Sequence, residues 1–190
     1  MNLADRLTLI RIILAPVFFI IYTLPEIFPA IWAIPLLWVI FIAAELTDMF
    51  DGMAARRFNI TSDFGKLFDP FADTLLQMTL FLCFVVDGIF PAFLLLLVLY
   101  REFSILLVRN LMLKKGIAMG ARMGGKIKTV TYIAAAGIAL LYASLSRLGI
   151  AADLQPLVKI AALAVFAVSV LFSVLSFMDY VIVYRKSSEQ

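Results

Sequence analysis

The sequence has 190 residues, of which 64% are apolar and 15% are charged, with a formal net charge of +3 and a mean hydropathy of +1.06. This balance excludes an ordinary soluble domain and indicates a membrane protein surrounded by lipids, with no nucleic acid as partner. The absence of histidine excludes zinc sites built on imidazole and Ser-His hydrolase arrangements, and the single cysteine, Cys83, excludes an intrachain disulfide. Any bound metal must therefore be held by oxygen ligands.

Six apolar windows along the chain are long enough to span a bilayer. They lie near residues 7–23, 31–50, 69–87, 90–113, 127–146 and 157–183. Backbone polar groups in lipid need internal hydrogen-bond partners, and alternating ten-residue segments are absent, so the pattern predicts helices rather than a barrel. We therefore expect one domain over residues 1–190, an all-α integral membrane protein built as a six-transmembrane-helix bundle.

Two short segments bear on where these windows begin and end. Arg11 interrupts the first window and no small-residue cleavage site follows it, so we expect this segment to be retained rather than removed as a signal peptide. The third and fourth windows are separated by VDGIFP, residues 86–91, whose Asp, Gly and Pro predict a short turn.

The distribution of basic residues predicts the orientation. Twelve of the 16 Lys and Arg residues belong to four regions: the amino terminus up to Arg11, the connection from the second window to the third, the segment from Lys114 to Lys128 around the connection from the fourth window to the fifth, and the tail. The opposite side of the membrane holds only Arg147 and Lys159, while Arg101 and Arg109 lie within the fourth window. By the positive-inside rule, both termini and the segment between the second and third windows are expected on the cytoplasmic face.

Four aspartates flank the connection from the second window to the third. Asp48 and Asp51 lie three residues apart, and Asp69 and Asp73 lie four apart at the start of the third window, where Pro70 fits the first turn of a helix. Each spacing places two carboxylates on one helix face, and a short loop can bring the two faces together. Because clustered carboxylates repel one another, the pattern predicts a site for Mg²⁺ or Mn²⁺, with room for two ions.

The residues between these carboxylates suit a phosphate ligand. Gly52 would let a ligand approach closely, Ala55 is also small, and Arg56 offers a planar donor fork for phosphate oxygens. Gly65 fits the same permissive role. Asp63 is expected to be a solvated loop residue.

The spacing Asp48-x2-Asp51-Gly52-x2-Ala55-Arg56-x8-Gly65-x3-Asp69-x3-Asp73 resembles the signature of the CDP-alcohol phosphatidyltransferase family without a departure. The resemblance implies transfer of a phosphatidyl or similar group from a CDP-linked donor to a hydroxyl, with release of CMP. It implies that the metal ligands are Asp48, Asp51, Asp69 and Asp73. The implied contacts to the cytidine diphosphate are Asp48, Gly52, Ala55, Arg56, Gly65 and Asp69. Asp73 is the implied general base, and a homodimer is the implied assembly.

Two further stretches are similar to the bacterial branch of this family that uses glycerol 3-phosphate as acceptor. The first is LTLIRIILAP, residues 7–16, although the preceding NLAD departs from that branch's pattern. The second runs from Arg101 through Arg109 to GGKIKT, residues 124–129. The resemblance implies that CDP-diacylglycerol reacts with sn-glycerol 3-phosphate at the cytoplasmic face of a bacterial inner membrane.

The chemistry of the basic residues agrees with an anionic acceptor. Arg101 and Arg109 are eight residues apart, about 80° around a helix, so they border one face. Lys126 and Lys128 begin the fifth window at the cytoplasmic level. Together the four predict a pocket for the acceptor's phosphate. Two alternatives stay open: the lysines are only positive-inside anchors, or Arg101 pairs with Glu102.

Other functions remain open at this point. An inositol phosphate, serine or phosphatidylglycerol acceptor would keep the family and change the product. A cation transporter or channel would use the carboxylates as an ion site. Against the transporter stand the position of the aspartates at a membrane face and the presence of Arg56 among them.

Overall fold

The computed structural model describes the backbone of residues 3–58, 63–114 and 123–188. Side chains are described for Arg6 and for residues 8–47, 68–108, 110–112 and 127–178. Within these ranges the chain forms six α-helices. They are α1 (Leu3–Thr23), α2 (Ala30–Phe58), α3 (Asp63–Val86), α4 (Ala92–Lys114), α5 (Met123–Leu148) and α6 (Gln155–Ser188).

The chain divides into two compact units. Unit 1 comprises Met1–Asp87 and Ala143–Ala152, and unit 2 comprises Gly88–Tyr142 and Asp153–Gln190. In unit 1, α1 packs against α3 and α2, and in unit 2, α4 packs against α6. The expectation of one domain over residues 1–190 stays a prediction.

One face of α1 forms much of the core of unit 1. Ala15, Phe18 and Tyr22 are buried at helical spacing, and their side chains lie within one stripe. The Phe18 and Tyr22 rings stack with centroids 5.9 Å apart, and the Tyr22 ring meets Phe84 of α3 edge-on at 5.8 Å. Ile13, on another face of α1, is 61% exposed, as expected where a helix faces lipid.

A polar cluster joins the carboxyl ends of α1 and α3 to the last turns of α5. The Tyr22 hydroxyl donates to Asp87 Oδ2 at 2.7 Å, and Arg147 Nη2 donates to the same oxygen at 2.9 Å. Arg147 Nη1 also donates to the Tyr22 carbonyl at 2.8 Å, and its guanidinium lies 4.0 Å from the Tyr22 ring centroid. The three side chains therefore satisfy one another's hydrogen-bonding groups where these three helices meet.

Small residues line the buried stripe of α6 in unit 2. Ala162, Ser169, Ser173 and Ser176 are all buried, and their size lets a neighbouring helix approach closely. Phe166, in the same stripe, stacks on Phe90 with ring centroids 4.0 Å apart. This pattern is typical of helix packing in membranes, where close contact replaces the hydrophobic effect between helices.

Four helices of the described chain are long and apolar enough to cross a membrane. Their apolar segments are Ala30–Thr47, Phe68–Val86, Ile127–Leu148 and Gln155–Met178. The apolar part of α1, Thr8–Thr23, is shorter, and α4 carries Arg101 and Glu102 within it. The protein is therefore an all-helical integral membrane protein, as the composition indicated.

The helices extend beyond the predicted windows at their polar ends. The window ending at residue 50 belongs to a helix that continues to Phe58, and the third helix begins at Asp63. Asp63 is therefore helical rather than part of a loop, and Pro70 lies inside α3 instead of in its first turn. Apolar windows detect only the part of a helix suited to lipid. The predicted turn at residues 86–91 is confirmed, with Gly88 at a φ of 64°.

Candidate active site

Two residues of α1 hold two carboxylates of α3. Thr8 Oγ1 donates a hydrogen bond to Asp69 Oδ1, and the Arg11 guanidinium forms an ion pair with Asp73 through Nη1 and Oδ1. Thr8 and Arg11 are three residues apart, and Asp69 and Asp73 are four apart, so each pair occupies one turn of its helix. The two contacts therefore connect α1 and α3 at positions one helical turn apart.

The two partners of the Arg11–Asp73 ion pair differ sharply in burial. The Arg11 side chain is 1% exposed, whereas that of Asp73 is 43% exposed. Thr8 is fully buried as well, and Asp69 is half-buried. A buried cation needs a hydrogen-bonded anion, so Asp73 stabilises Arg11 in the helix interface. In return, the buried donors fix one oxygen of each carboxylate while Asp73 remains accessible from outside.

The carboxylate pair of Asp69 and Asp73 fits part of an oxygen-ligand metal site. Carboxylate oxygens are the ligands that Mg²⁺ and Mn²⁺ prefer, and donors that orient metal-binding carboxylates are typical of such sites. Where side chains are described, no three or more acidic, cysteine or histidine side chains lie close enough together to hold a metal ion. The side chains of Asp48 and Asp51 lie outside that part of the chain, so the predicted four-carboxylate cluster stays a prediction.

The backbone places the remaining motif residues on two helices. Asp48 and Asp51 belong to α2, as do the predicted donor contacts Gly52, Ala55 and Arg56. Their side chains lie outside the described set. The backbone is helical from Asp48 to Asp51, so these two positions lie on one face of α2, as their spacing predicted.

Gly65 belongs to α3, four residues before Asp69. The two positions therefore follow one another on one face of that helix. The contact of Gly65 with the cytidine diphosphate stays a prediction.

The predicted acceptor residues are only partly described. Arg101 Nη1 donates to Glu102 Oε1 at 2.8 Å, and Lys128 Nζ donates to the same oxygen at 2.7 Å. The alternative pairing of Arg101 with Glu102 is thus observed, while a role in binding phosphate stays a prediction. Arg109 and Lys126 lie on α4 and α5, with side chains outside the described set.

Sequence reasoning missed three residues of these clusters. Thr8 and Arg11 lie in the stretch LTLIRIILAP, which was recognised for its resemblance, but their contacts with Asp69 and Asp73 were not foreseen. Glu102 was considered only as a partner for Arg101, and its contact with Lys128 was not foreseen. The available signal was Arg11 itself, a charge inside an apolar helix that needs a partner.

The fold and the carboxylate pair define a helical membrane protein with an acidic site that an α1 threonine and arginine orient. The chain belongs to the CDP-alcohol phosphatidyltransferase family, whose family model matches residues 1–175. The resemblance seen in the spacing of the aspartates is thereby confirmed.

Curated relatives carry enzyme names from this family. The chain is 36% identical over 191 residues to a CDP-diacylglycerol--glycerol-3-phosphate 3-phosphatidyltransferase of Treponema pallidum, covering 95% of this chain and 88% of the relative. It is 35% identical over 149 residues to a Bacillus subtilis protein of the same name, covering 74% and 77%. A probable phosphatidylglycerophosphate synthase of Mycobacterium tuberculosis is 31% identical over 180 residues, covering 95% and 80%.

Proposed function

We propose that the protein transfers the phosphatidyl group of CDP-diacylglycerol to sn-glycerol 3-phosphate, giving phosphatidylglycerol phosphate and CMP. The names of relatives aligned over most of the chain support this reaction. The structural observation that carries the proposal is the pair of Asp69 and Asp73, one helical turn apart and each held by a buried donor of α1. Such a pair suits divalent metal ions and a phosphorylated donor.

The proposed metal ligands are Asp48, Asp51, Asp69 and Asp73, which would hold Mg²⁺ or Mn²⁺, with two ions in the complete site. When bound, these ions supply positive charge to the donor's pyrophosphate and to the CMP leaving oxygen. Thr8 and Arg11 each hold Oδ1 of their carboxylate, which restricts the directions in which the carboxylates present ligand oxygens.

Asp73 is the proposed general base. It takes the proton from the acceptor hydroxyl as the acceptor oxygen bonds to the phosphorus that carries diacylglycerol, and the bond from that phosphorus to the CMP oxygen breaks. The partial exposure of Asp73 supports this role, because a substrate can approach it. Arg11 fixes the orientation of the carboxylate during the transfer.

The two substrates would be bound by different sets of residues. The proposed contacts to the cytidine diphosphate are Asp48, Gly52, Ala55, Arg56, Gly65 and Asp69. The proposed contacts to the acceptor's phosphate are Arg101, Arg109, Lys126 and Lys128. Small residues permit close approach of the pyrophosphate to the α2 backbone, and the cations match an anionic acceptor.

The proposed setting is the inner membrane of a bacterium, with six membrane-crossing helices and both termini in the cytoplasm. The asymmetry of Lys and Arg between the connections supports this orientation, in which the carboxylates would lie at the cytoplasmic face. Membrane lipids would surround the apolar faces, and the family resemblance supports a homodimer.

The test is an acceptor screen with the purified protein in detergent or lipid nanodiscs. CMP release from CDP-diacylglycerol is measured with Mg²⁺ or Mn²⁺ and, in turn, with glycerol 3-phosphate, inositol phosphate, serine or phosphatidylglycerol. We expect release that requires glycerol 3-phosphate and stops when the metal is chelated. Release with another acceptor only would overturn the acceptor and keep the family chemistry, whereas ion flux through liposomes without CMP release would favour a transporter.

A further inference from the structure

A buried charged cluster in unit 2 has one carboxylate oxygen at its centre. Glu102 Oε1, on α4, accepts hydrogen bonds from its neighbour Arg101 at 2.8 Å and from Lys128 of α5 at 2.7 Å. These lengths are those of charge-assisted hydrogen bonds. A single oxygen of Glu102 therefore holds two cations side by side, no further apart than two hydrogen-bond lengths.

The cluster is almost closed to its surroundings. The side chains of Arg101, Glu102 and Lys128 are 5%, 8% and 12% exposed. Arg101 Nε donates to the Ser173 carbonyl of α6 at 3.0 Å, and Lys128 Nζ lies 4.9 Å from the centroid of the Tyr132 ring. Both cations are thus fixed by groups other than Glu102, so their positions do not depend on that carboxylate alone.

Arg101 and Lys128 share one carboxylate oxygen in a region of low dielectric, where the match between cations and anions matters more than in water. A phosphate monoester carries close to two negative charges at neutral pH and offers three acceptor oxygens. It matches the two cations better than the Glu102 carboxylate does.

We propose that Glu102 occupies the place of the acceptor's phosphate between Arg101 and Lys128 until the acceptor binds and takes over both cations. The inference rests on the proposed function for the identity of the acceptor. Glu102 is then a specificity-determining residue, because an acceptor without an anionic group cannot displace its carboxylate. The cost of the displacement weakens binding of the correct acceptor as well.

The test uses Glu102→Gln in the full-length protein, because glutamine keeps the shape and one acceptor oxygen while removing the charge. We expect the KM for glycerol 3-phosphate to fall roughly threefold or more, the effect of removing one partly screened competing charge. The KM for CDP-diacylglycerol should stay unchanged. Glu26→Gln is the matched control, since Glu26 is exposed in the α1–α2 connection.

A binding measurement without turnover accompanies the kinetics. Inorganic phosphate should raise the thermal unfolding temperature of Glu102→Gln more than that of the wild type, relative to sodium chloride at equal ionic strength. An equal or smaller rise, or a KM for glycerol 3-phosphate that is unchanged or higher, overturns the inference. A wild type that releases no CMP with glycerol 3-phosphate defeats the proposed function instead, and the phosphate-induced shift still decides the role of Glu102.

Glu102→Asp covers the case in which Glu102→Gln does not fold. Aspartate keeps the negative charge but is one methylene shorter, so its hold on both cations is weaker. The KM for glycerol 3-phosphate should again fall, whereas a purely structural role for Glu102 predicts a KM that is unchanged or raised.

Discussion

Helices α1 and α3 are joined by polar contacts at two levels, and at each level an arginine contacts an aspartate. In the amino-terminal halves of the two helices, Arg11 pairs with Asp73, with the Thr8 contact one turn away. At the carboxyl ends, Arg147 pairs with Asp87, which follows α3 directly. The aspartates are partly exposed in both pairs, at 43% for Asp73 and 32% for Asp87.

The two levels differ in how the partners are connected. Asp87 Oδ2 accepts hydrogen bonds from both Tyr22 and Arg147, and Arg147 also contacts the carbonyl and ring of Tyr22. Each of the three residues therefore contacts the other two. In the amino-terminal halves, each carboxylate has its own donor, and a second carboxylate follows one turn along α3. An ion pair between membrane helices is therefore no sign of function by itself. A repeated carboxylate on one face is the informative feature.

The largest effect is expected from Asp69→Asn in the amino-terminal half of α3. Replacing a proposed metal ligand by a neutral amide should lower the rate of CMP release by about 10³-fold, because charge at the reacting phosphate is then poorly balanced. Initial rates at saturating substrates check this, normalised to protein that elutes as a single species in size-exclusion chromatography. A rate within a few-fold of the wild type would remove Asp69 from the site.

Arg11→Met tests the guanidinium that holds Asp73. The rate should fall by about 10- to 100-fold, the range seen when the partner of a metal-binding group is removed, and the Mg²⁺ concentration for half-maximal rate should rise. Arg6→Met is the control, because Arg6 is an exposed arginine of the same helix and should change the rate little. Equal losses in the two variants would show that general charge, rather than the contact with Asp73, matters.

Thr8→Val should have a smaller effect of about tenfold on the rate, because the side chain keeps its shape and loses only the hydroxyl that donates to Asp69. Thr8→Ser restores a hydroxyl and should recover most of the activity. If Thr8→Ser is as impaired as Thr8→Val, the hydrogen bond to Asp69 is not the cause.

At the carboxyl ends the expected effect is on stability alone. Tyr22→Phe removes the buried hydroxyl that donates to Asp87 and should lower the free energy of unfolding by about 1 kcal/mol. Thermal unfolding in detergent measures the loss, and the CMP-release rate well below the transition should match the wild type. A lowered rate without a change in stability would give this cluster a catalytic role.

The fold was largely predictable from the sequence because lipid imposes a simple length rule. All six windows correspond to helices, and the turn at residues 86–91 lies where its Asp, Gly and Pro indicated. The polar helix ends were not predictable in this way. Residues 51–58 and 63–68 continue α2 and α3 through charged sequence, since helical hydrogen bonds form as readily there as in an apolar segment.

The site was predictable only where its residues are close in sequence. Asp69 and Asp73 share one helix and a recognisable spacing, whereas Thr8 and Arg11 lie 61 and 62 residues earlier. Nothing in a single sequence states which helices of a bundle are neighbours. The same limit hides the contacts of Tyr22 with Asp87 and of Asp87 with Arg147, which are separated by 65 and 60 residues.

The most direct measurement compares Asp73→Asn with Asp87→Asn, the same substitution in the middle of α3 and directly after its carboxyl end. For each variant, the CMP-release rate with glycerol 3-phosphate and the thermal unfolding temperature are measured on the same preparation. We expect Asp73→Asn to abolish turnover and stay folded, and Asp87→Asn to unfold at a lower temperature with a rate within twofold of the wild type. Turnover that survives in Asp73→Asn, or that is lost in a folded Asp87→Asn, would contradict this expectation.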